Sequence, residues 1–304
     1  MTRRRTATTA LLGDELGPRG RRRVLIGSVV SGALLAVIVV VALRRLGSRG
    51  QLDADLWRPL ADLRVMRFFL VGALNTGKAA SAAMIGAVAL GMVLALGRLA
   101  RAAPLRWLAG TWVEFFRGFP LLLLLLFLAF GLPRYGIKLP LLWTLVLALT
   151  LYNGAVLGEI FRAGILSLDR GQTEAAYAVG LGYWRAMGSV IVPQAFRRMV
   201  PAIVSQLITL LKDTSLGFFV QYEELLRRGQ LAGQDFRNLL QSLFVVAAMY
   251  VAANFVLSRL ARRLEVRQRR RYRAGGIEVT GGPEDLVMVD SSTPAPARAA
   301  PVSS

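Results

Sequence analysis

The sequence of 304 residues contains neither cysteine nor histidine. Without cysteine there is no disulfide and no thiolate ligand for zinc, and without histidine there is no imidazole for metal binding or proton transfer. We therefore expect no metal site and no catalytic triad or dyad built on these residues. The sequence also offers no convincing pair of catalytic carboxylates, so its composition does not indicate an enzyme.

Acidic residues are scarce, with 18 Asp and Glu against 38 Lys and Arg and a formal net charge of +20. Such a charge can attract nucleic acid, but its position indicates a membrane instead. Arginines cluster before the first apolar run and after the last one, and such clusters keep a membrane protein's flanks in the cytoplasm. We expect a basic cytoplasmic tail at residues 1–23 and no nucleic-acid partner. The clustered residues are Arg3, Arg4, Arg5, Arg19, Arg21, Arg22 and Arg23, then Arg259, Arg262, Arg263, Arg267, Arg269, Arg270, Arg271 and Arg273.

Long apolar runs dominate the rest of the chain, which is 55% hydrophobic with a mean hydropathy of +0.50. A helix needs about 20 apolar residues to cross a bilayer. The runs predict an all-α membrane protein with six spans and both termini in the cytoplasm. This topology places Arg44, Arg45 and Arg49 outside, against the usual charge bias. Residues 274–304 are rich in small and polar residues, which predicts a disordered tail. The six predicted spans are 24–43, 68–96, 107–132, 139–158, 199–220 and 238–258.

The stretch GALNTGKA at residues 72–79 matches the glycine and lysine spacing of a phosphate-binding loop. That loop also needs Ser or Thr after the lysine to hold magnesium, and a strand before the glycines. Ala79 follows Lys78 here, and the stretch lies inside a predicted membrane helix. We therefore predict an ordinary helix segment and no nucleotide site.

One polar segment, GQTEAAYAVGLGYWRAMGSVIVPQ at residues 171–194, interrupts the apolar runs on the predicted cytoplasmic side. Thr173 can cap a short helix, with Glu174 in its first turn beside the positive end of the helix dipole. Gly180 can end that helix and Gly182 can extend the turn. A second short helix at 183–192 is expected next, with Pro193 beginning another. The segment fits either a helix that docks into a partner's groove or a solvated loop.

The same segment resembles the signature loop of ABC-importer permeases, in which EAA is followed at fixed spacing by glycine and later by Ile-x-Leu-Pro. Val190 and Val192 replace Ile and Leu, while Pro193 stands as expected. Further motifs are similar to those of the polar-amino-acid branch of that family, and the resemblance extends over residues 68–260. They are EFFRGFPLL at 114–122, GEIFRAGI at 158–165, VPQAFRRMVPA at 192–202 and LLKDTSL at 210–216.

This resemblance implies a type I ABC-importer transmembrane domain, with a five-helix core plus one extra N-terminal helix at 24–43. The permease domain would cover residues 68–262 and carry a cytoplasmic coupling loop at 159–198. It also implies a bacterial cytoplasmic membrane location among lipids, with a second identical or homologous permease, two ATPase subunits and an extracellular solute-binding lipoprotein as partners. ATP and magnesium would bind the ATPases, so this chain would hold no cofactor. The implied coupling residues are Gln172, Thr173, Glu174, Ala175, Ala176, Gly180 and Gly182.

Charged residues inside the predicted spans are functional candidates, because burying charge in a bilayer is expensive. Glu114 and Arg117 are three residues apart and can pair, as can Glu159 and Arg162. Lys212 and Asp213 are adjacent, so each needs another partner or a wet cavity. These groups either form salt bridges that hold the helices together or line the translocation path.

The resemblance is greatest to actinobacterial glutamate permeases, which makes glutamate the expected substrate. Glutamine, arginine, another amino acid or a quaternary amine are alternatives, because the external binding protein often dominates the choice. A membrane scaffold without transport is a further alternative, and it predicts that residues 171–194 tolerate change.

Overall fold

The computed structural model describes residues 17–274, and this part of the chain is helical without any strand. Most of the predicted tail at 1–23, and the tail at 274–304 beyond its first residue, lie outside the described residues. The all-α prediction is confirmed. The helices are α1 (Pro18–Ser48), α2 (Ala54–Trp57), α3 (Leu63–Arg98), α4 (Ala103–Gly118), α5 (Leu121–Leu126), α6 (Leu141–Leu166), α7 (Arg170–Ala178), α8 (Tyr183–Ala186), α9 (Val192–Asp213), α10 (Leu225–Asp235) and α11 (Leu239–Ala274).

Five helical segments of the described chain are long and apolar enough to cross a membrane. The first is unusual, because its most apolar window is entirely unburied by the rest of the chain. A helix that is apolar on all sides and unpacked suits a lipid environment. The five segments are Arg22–Ser48, Leu63–Arg98, Leu141–Leu166, Tyr183–Val220 and Leu239–Leu260.

The predicted span at 107–132 is broken rather than continuous. Its two parts, Ala103–Gly118 and Leu121–Tyr135, meet at an angle of 99°. Pro120 lacks the N–H that a continuous helix needs, and a proline disfavours helical backbone at the preceding residue. Phe119 accordingly adopts extended angles of φ −83° and ψ 129°. The described chain therefore has five spans, or six if the bent pair crosses the membrane as one unit.

Helix α9 begins at Val192 with Pro193 in its first turn, as predicted, but it is not separated from the helix before it. The chain runs from α8 through a π-helical turn at Met187–Ile191 directly into α9, so residues from Tyr183 onward form one long segment. A proline inside a helix clashes with the carbonyl one turn earlier. The wider π turn immediately before Pro193 relieves that clash, so the helix continues.

The chain divides into two compact units. One unit comprises the described residues up to Thr76 together with Gln221–Met249. Within it, the start of α10 is bonded to α3. The Tyr222 hydroxyl donates to the Asn75 carbonyl at 3.1 Å, and the Asn75 amide donates to the Glu223 carbonyl at 2.9 Å. Burial raises the pKa of the Tyr222 phenol, so it stays a protonated donor at neutral pH.

The second unit runs from Gly77 to Val220 and resumes at Tyr250. Its core lies where α6 packs against α9, with Leu157, Phe161 and Ala195 fully buried. Asn153 is also fully buried in α6, and the Gln206 amide donates to its Oδ1 at 2.6 Å. Buried amides need such partners because an unpaired polar group inside a protein is costly.

Candidate functional site

The N-terminus of α7 lies one turn earlier than predicted. Asp169 caps the helix, since its Oδ1 accepts a hydrogen bond from the Gly171 N–H at 2.8 Å. Thr173 and Glu174 therefore lie inside the helix rather than at its cap and first turn, and those two predictions are wrong. Aspartate is among the strongest N-cap residues, so the sequence DRGQ could have revealed the true start.

The C-terminus of α7 is the one predicted. Gly180 adopts φ +82°, a left-handed conformation that costs glycine little. The Leu181 N–H donates to the Ala176 carbonyl at 3.1 Å, and the Gly180 N–H donates to the Tyr177 carbonyl at 2.9 Å. These bonds close the helix in a tight reversal and lead through Gly182 into α8.

Helix α7 has one packed side and one open side. Ala176 is buried and Thr173 is half-buried, while the Gln172 Oε1 accepts from the Gln194 amide on α9 at 3.1 Å. Glu174 and Ala175 are exposed. The structure thus brings the predicted coupling residues together on one short helix and its terminating turn. Small side chains beside one carboxylate form a surface that another protein can approach closely.

The turn after α7 is anchored by residues that sequence reasoning missed. The Tyr183 hydroxyl donates to the Leu99 carbonyl just past the end of α3, at 2.6 Å. The Arg101 guanidinium lies over the Tyr183 ring, 4.9 Å from its centroid, in a cation–π contact. The sequence carries no local signal for these contacts, since 84 residues separate Tyr183 from Leu99.

An ion cluster joins the ends of α3 and α6. The Glu159 carboxylate binds the Arg162 guanidinium at 2.6 Å, which is the predicted pair, and it also binds Arg98 of α3. The three side chains are 18–30% exposed. Both arginines bind the same carboxylate, so the cluster links the C-terminal parts of α3 and α6.

Comparison with known proteins shows the family of this chain. A model of the family described as "Binding-protein-dependent transport system inner membrane component" matches residues 87–270. The chain belongs to this family. The match includes α7, its turn and the Glu159 cluster, so the chain is the multi-pass membrane permease of such a system.

Individual relatives agree with this family. The glutamate transport system permease protein GluD of Corynebacterium glutamicum is 39% identical over 76% of this chain and 84% of its own length. The probable glutamine ABC transporter permease protein GlnP of Bacillus subtilis is 44% identical over 59% of this chain and 83% of its own. A crystal structure of an amino acid ABC transporter with histidines is 30% identical, with a TM-score of 0.64, and the alignment covers 68% of this chain and 97% of that chain.

The other charged residues predicted to lie inside the spans are not part of the Glu159 ion cluster. Glu114 and Arg117 are exposed on α4, and among the described residues they form no ion pair with each other. Lys212 is exposed and Asp213 is half-buried at the end of α9, and neither forms an ion pair within residues 17–274. Of the predicted intramembrane charges, Glu159 is therefore the one that the described structure shows paired.

The glycine-lysine stretch at 72–79 lies within α3 of the permease, as predicted. Gly72 serves packing, because a Cβ there would stand 3.0 Å from the Leu225 Cα on α10. A phosphate-binding loop needs non-helical backbone whose N–H groups point at the phosphate. A continuous helix cannot supply those N–H groups, so this stretch holds no nucleotide.

Proposed function

We propose glutamate as the substrate of this permease, which is a subunit of an amino-acid ABC importer. The observation that carries this choice is the match to the Corynebacterium glutamate permease along 76% of the chain. The glutamine permease of Bacillus is more identical over a shorter stretch, which makes glutamine the second candidate. Arginine, other polar amino acids and quaternary amines are further alternatives.

We further propose that α7 is the coupling helix through which ATPase subunits act on the permease. Its exposed side carries Glu174 and Ala175 beside a reversal fixed by Gly180. Its packed side is bonded through Gln172 to Gln194 on α9. A short helix held by such contacts can transmit the movement of a partner to the rest of the permease. A solvated loop would need neither these hydrogen bonds nor the buried Ala176.

The partners of the proposed importer are two cytoplasmic ATPases, a second permease and an extracellular solute-binding lipoprotein. ATP and magnesium belong to the ATPases, so the permease itself is not the catalyst. Closure of the ATPases on ATP would draw the coupling helices together and open the pathway outward. Such switching between two packed arrangements is a general form of allosteric transition.

Uptake by the reconstituted complex tests the substrate. The permease, co-purified with its ATPase and binding protein, is placed in proteoliposomes with labelled glutamate and ATP. We expect ATP-dependent accumulation that unlabelled aspartate and glutamate reduce more than glutamine or arginine. Accumulation of labelled glutamine but not of glutamate would overturn the glutamate assignment. Absence of ATP-dependent uptake for every amino acid would favour the scaffold instead.

A further inference from the structure

Helix α11 continues beyond its apolar span and becomes strongly basic there. The span, Leu239–Leu260, has 22 residues, or about 33 Å of helix, which matches the roughly 30 Å thickness of a hydrocarbon core. The helix nevertheless runs on to Ala274. Residues 259–274 contain eight arginines, no lysine and a single acidic residue, Glu265. The positive charge of this helix therefore begins where the hydrocarbon core ends.

The first three arginines of this run form one face of α11, which we call the arginine face. Arg259, Arg262 and Arg263 follow the spacing i, i+3, i+4, which places residues on the same side of a helix. All three are exposed, and none forms an ion pair with a described side chain. Among the described residues, the arginine face thus has no counter-charge.

The arginine face is inclined toward the membrane rather than away from it. Side chains of an α-helix tilt toward its N-terminus, and for these arginines that direction leads back to the apolar span. Arg259 shows this tilt, because its guanidinium lies over the ring of Phe255, 4.6 Å from the ring centroid. Phe255 lies one turn earlier, inside the span. Guanidinium groups so inclined reach the headgroup layer of a bilayer.

We propose that the arginine face binds the phosphate groups of anionic phospholipids in the cytoplasmic leaflet. The predicted topology places this end of α11 at the cytoplasmic surface, where anionic lipids attract basic segments next to a membrane span. A guanidinium can donate two parallel hydrogen bonds to one phosphate, which the ammonium group of lysine cannot. The inference goes beyond the proposed function and does not depend on which amino acid is transported.

The local concentration of anionic lipid beside the arginine face tests this proposal. A fluorescent label is attached at Leu260→Cys, where the native side chain is 50% exposed and the chain has no other cysteine. The complete importer is placed in vesicles of phosphatidylcholine and phosphatidylglycerol. A small fraction of one lipid or the other carries a nitroxide quencher near its headgroup. We expect the nitroxide to quench at least about threefold more strongly on phosphatidylglycerol than on phosphatidylcholine.

Neutralising the arginine face should remove this preference. The triple variant Arg259→Gln, Arg262→Gln, Arg263→Gln should lower the quenching ratio to about one, because the lipid phosphate then meets no cation. Lysine at the same three positions keeps the charge but loses the paired hydrogen bonds. The lysine variant should therefore give an intermediate ratio, which also shows that substitution at these positions does not by itself disrupt the protein.

A second triple variant is the matched control. It also removes three exposed arginines, but none of them belongs to α11, so the ratio at Leu260→Cys should stay at its original value. The control substitutions are Arg64→Gln, Arg67→Gln and Arg134→Gln.

Three results would overturn the proposal. The first is a ratio of one with the native arginine face, as expected if a partner subunit covers it. The second is an equal ratio for the arginine-face glutamine variant and the control variant. The third is a native ratio that about 1 M salt does not lower, because screening over roughly 3 Å at that salt concentration weakens attraction between charges. The salt measurement needs no variant, so it decides the question even if the glutamine variant fails to fold.

Discussion

Glu159 illustrates how single residues hold this membrane chain together. Its carboxylate accepts from guanidinium groups on two helices, Arg162 on its own helix and Arg98 on α3. Desolvation makes a lone charge expensive, so a partly buried carboxylate persists there because two cations share it. The cluster therefore acts as a structural joint at the ends of α3 and α6.

Removing the charge of Glu159 should weaken the fold. Glu159→Gln leaves two partly buried arginines without their acceptor and should cost about 1–3 kcal/mol of unfolding free energy, between the values typical of surface and buried pairs. Thermal unfolding of the purified permease, followed by tryptophan fluorescence, measures this cost. Asp55→Asn is the matched control, because its pair with Arg58 is 79% exposed on both sides. Equal unfolding temperatures for both variants would contradict the role of the cluster.

Gly180 and Gly182 offer a second matched comparison at the residue scale. Gly180 has φ +82°, whereas Gly182 has φ −69°, which any residue adopts. Gly180→Ala should add roughly 1 kcal/mol of backbone strain and misorient α7, lowering uptake by the reconstituted complex. Gly182→Ala should leave uptake unchanged. A larger loss of uptake with Gly182→Ala than with Gly180→Ala would show that the left-handed conformation of Gly180 does not determine uptake.

Local spacing made some of these residues predictable and hid others. The Glu159–Arg162 pair follows from helix geometry, because residues three apart share a face. Arg98 is 61 residues from Glu159, and Leu99 is 84 residues from Tyr183. Such contacts depend on how the helices pack, and one sequence without its packing does not contain that information.

The positions of the helices were predictable from the sequence where hydropathy alone determines them. The uncharged runs predicted the main helices, but the break at Pro120 was missed and the N-cap of α7 was predicted at Thr173 rather than Asp169. Hydropathy did not reveal the 99° bend at Pro120. An average of apolar character over a window does not register the backbone N–H that proline lacks. Pro193 lies in the first turn of α9 as predicted, while the π turn before it keeps α9 continuous with α8. Prolines in apolar runs thus need their structural context before a boundary can be assigned.

The start of α7 gives a test at this scale. Asp169→Ala removes the cap and should destabilise α7 by about 1 kcal/mol, which is typical of a lost N-cap. Amide hydrogen exchange of residues 171–178 should speed up accordingly, because local opening becomes easier. Thr173→Ala changes the residue first expected to be the cap and should leave exchange nearly unchanged. Faster exchange in Thr173→Ala than in Asp169→Ala would indicate that Thr173, not Asp169, caps the helix.

The number of times the described chain crosses the membrane depends on the bent pair at 103–135. The six-span topology with both termini in the cytoplasm stays a prediction, because the bent pair at 103–135 is either one broken span or a re-entrant loop. Positive charge near the ends of apolar runs supports the six-span arrangement. The polar connections at 97–106 and 159–198 would then share the cytoplasmic side.

Single cysteines on either side of the bent pair resolve this topology, since the native chain has none. Ala102→Cys and Tyr135→Cys are exposed positions, the second with 81% of Tyr135 accessible. A membrane-impermeant maleimide applied to whole cells should label Tyr135→Cys and spare Ala102→Cys. Labelling of both or of neither would mean that the bent pair is re-entrant and that five helices cross.

The coupling role of α7 is the central claim, and its most direct test reverses the exposed charge on that helix. Glu174→Lys should leave the permease inserted in the membrane, because Glu174 makes no ion pair or side-chain hydrogen bond within the described chain. The measurement is ATP hydrolysed per amino acid transported, in proteoliposomes containing the complete importer. We predict that Glu174→Lys abolishes most uptake while ATP hydrolysis by the ATPases persists, so the ratio rises sharply. Unchanged uptake and an unchanged ratio would contradict the claim that α7 couples the permease to ATP.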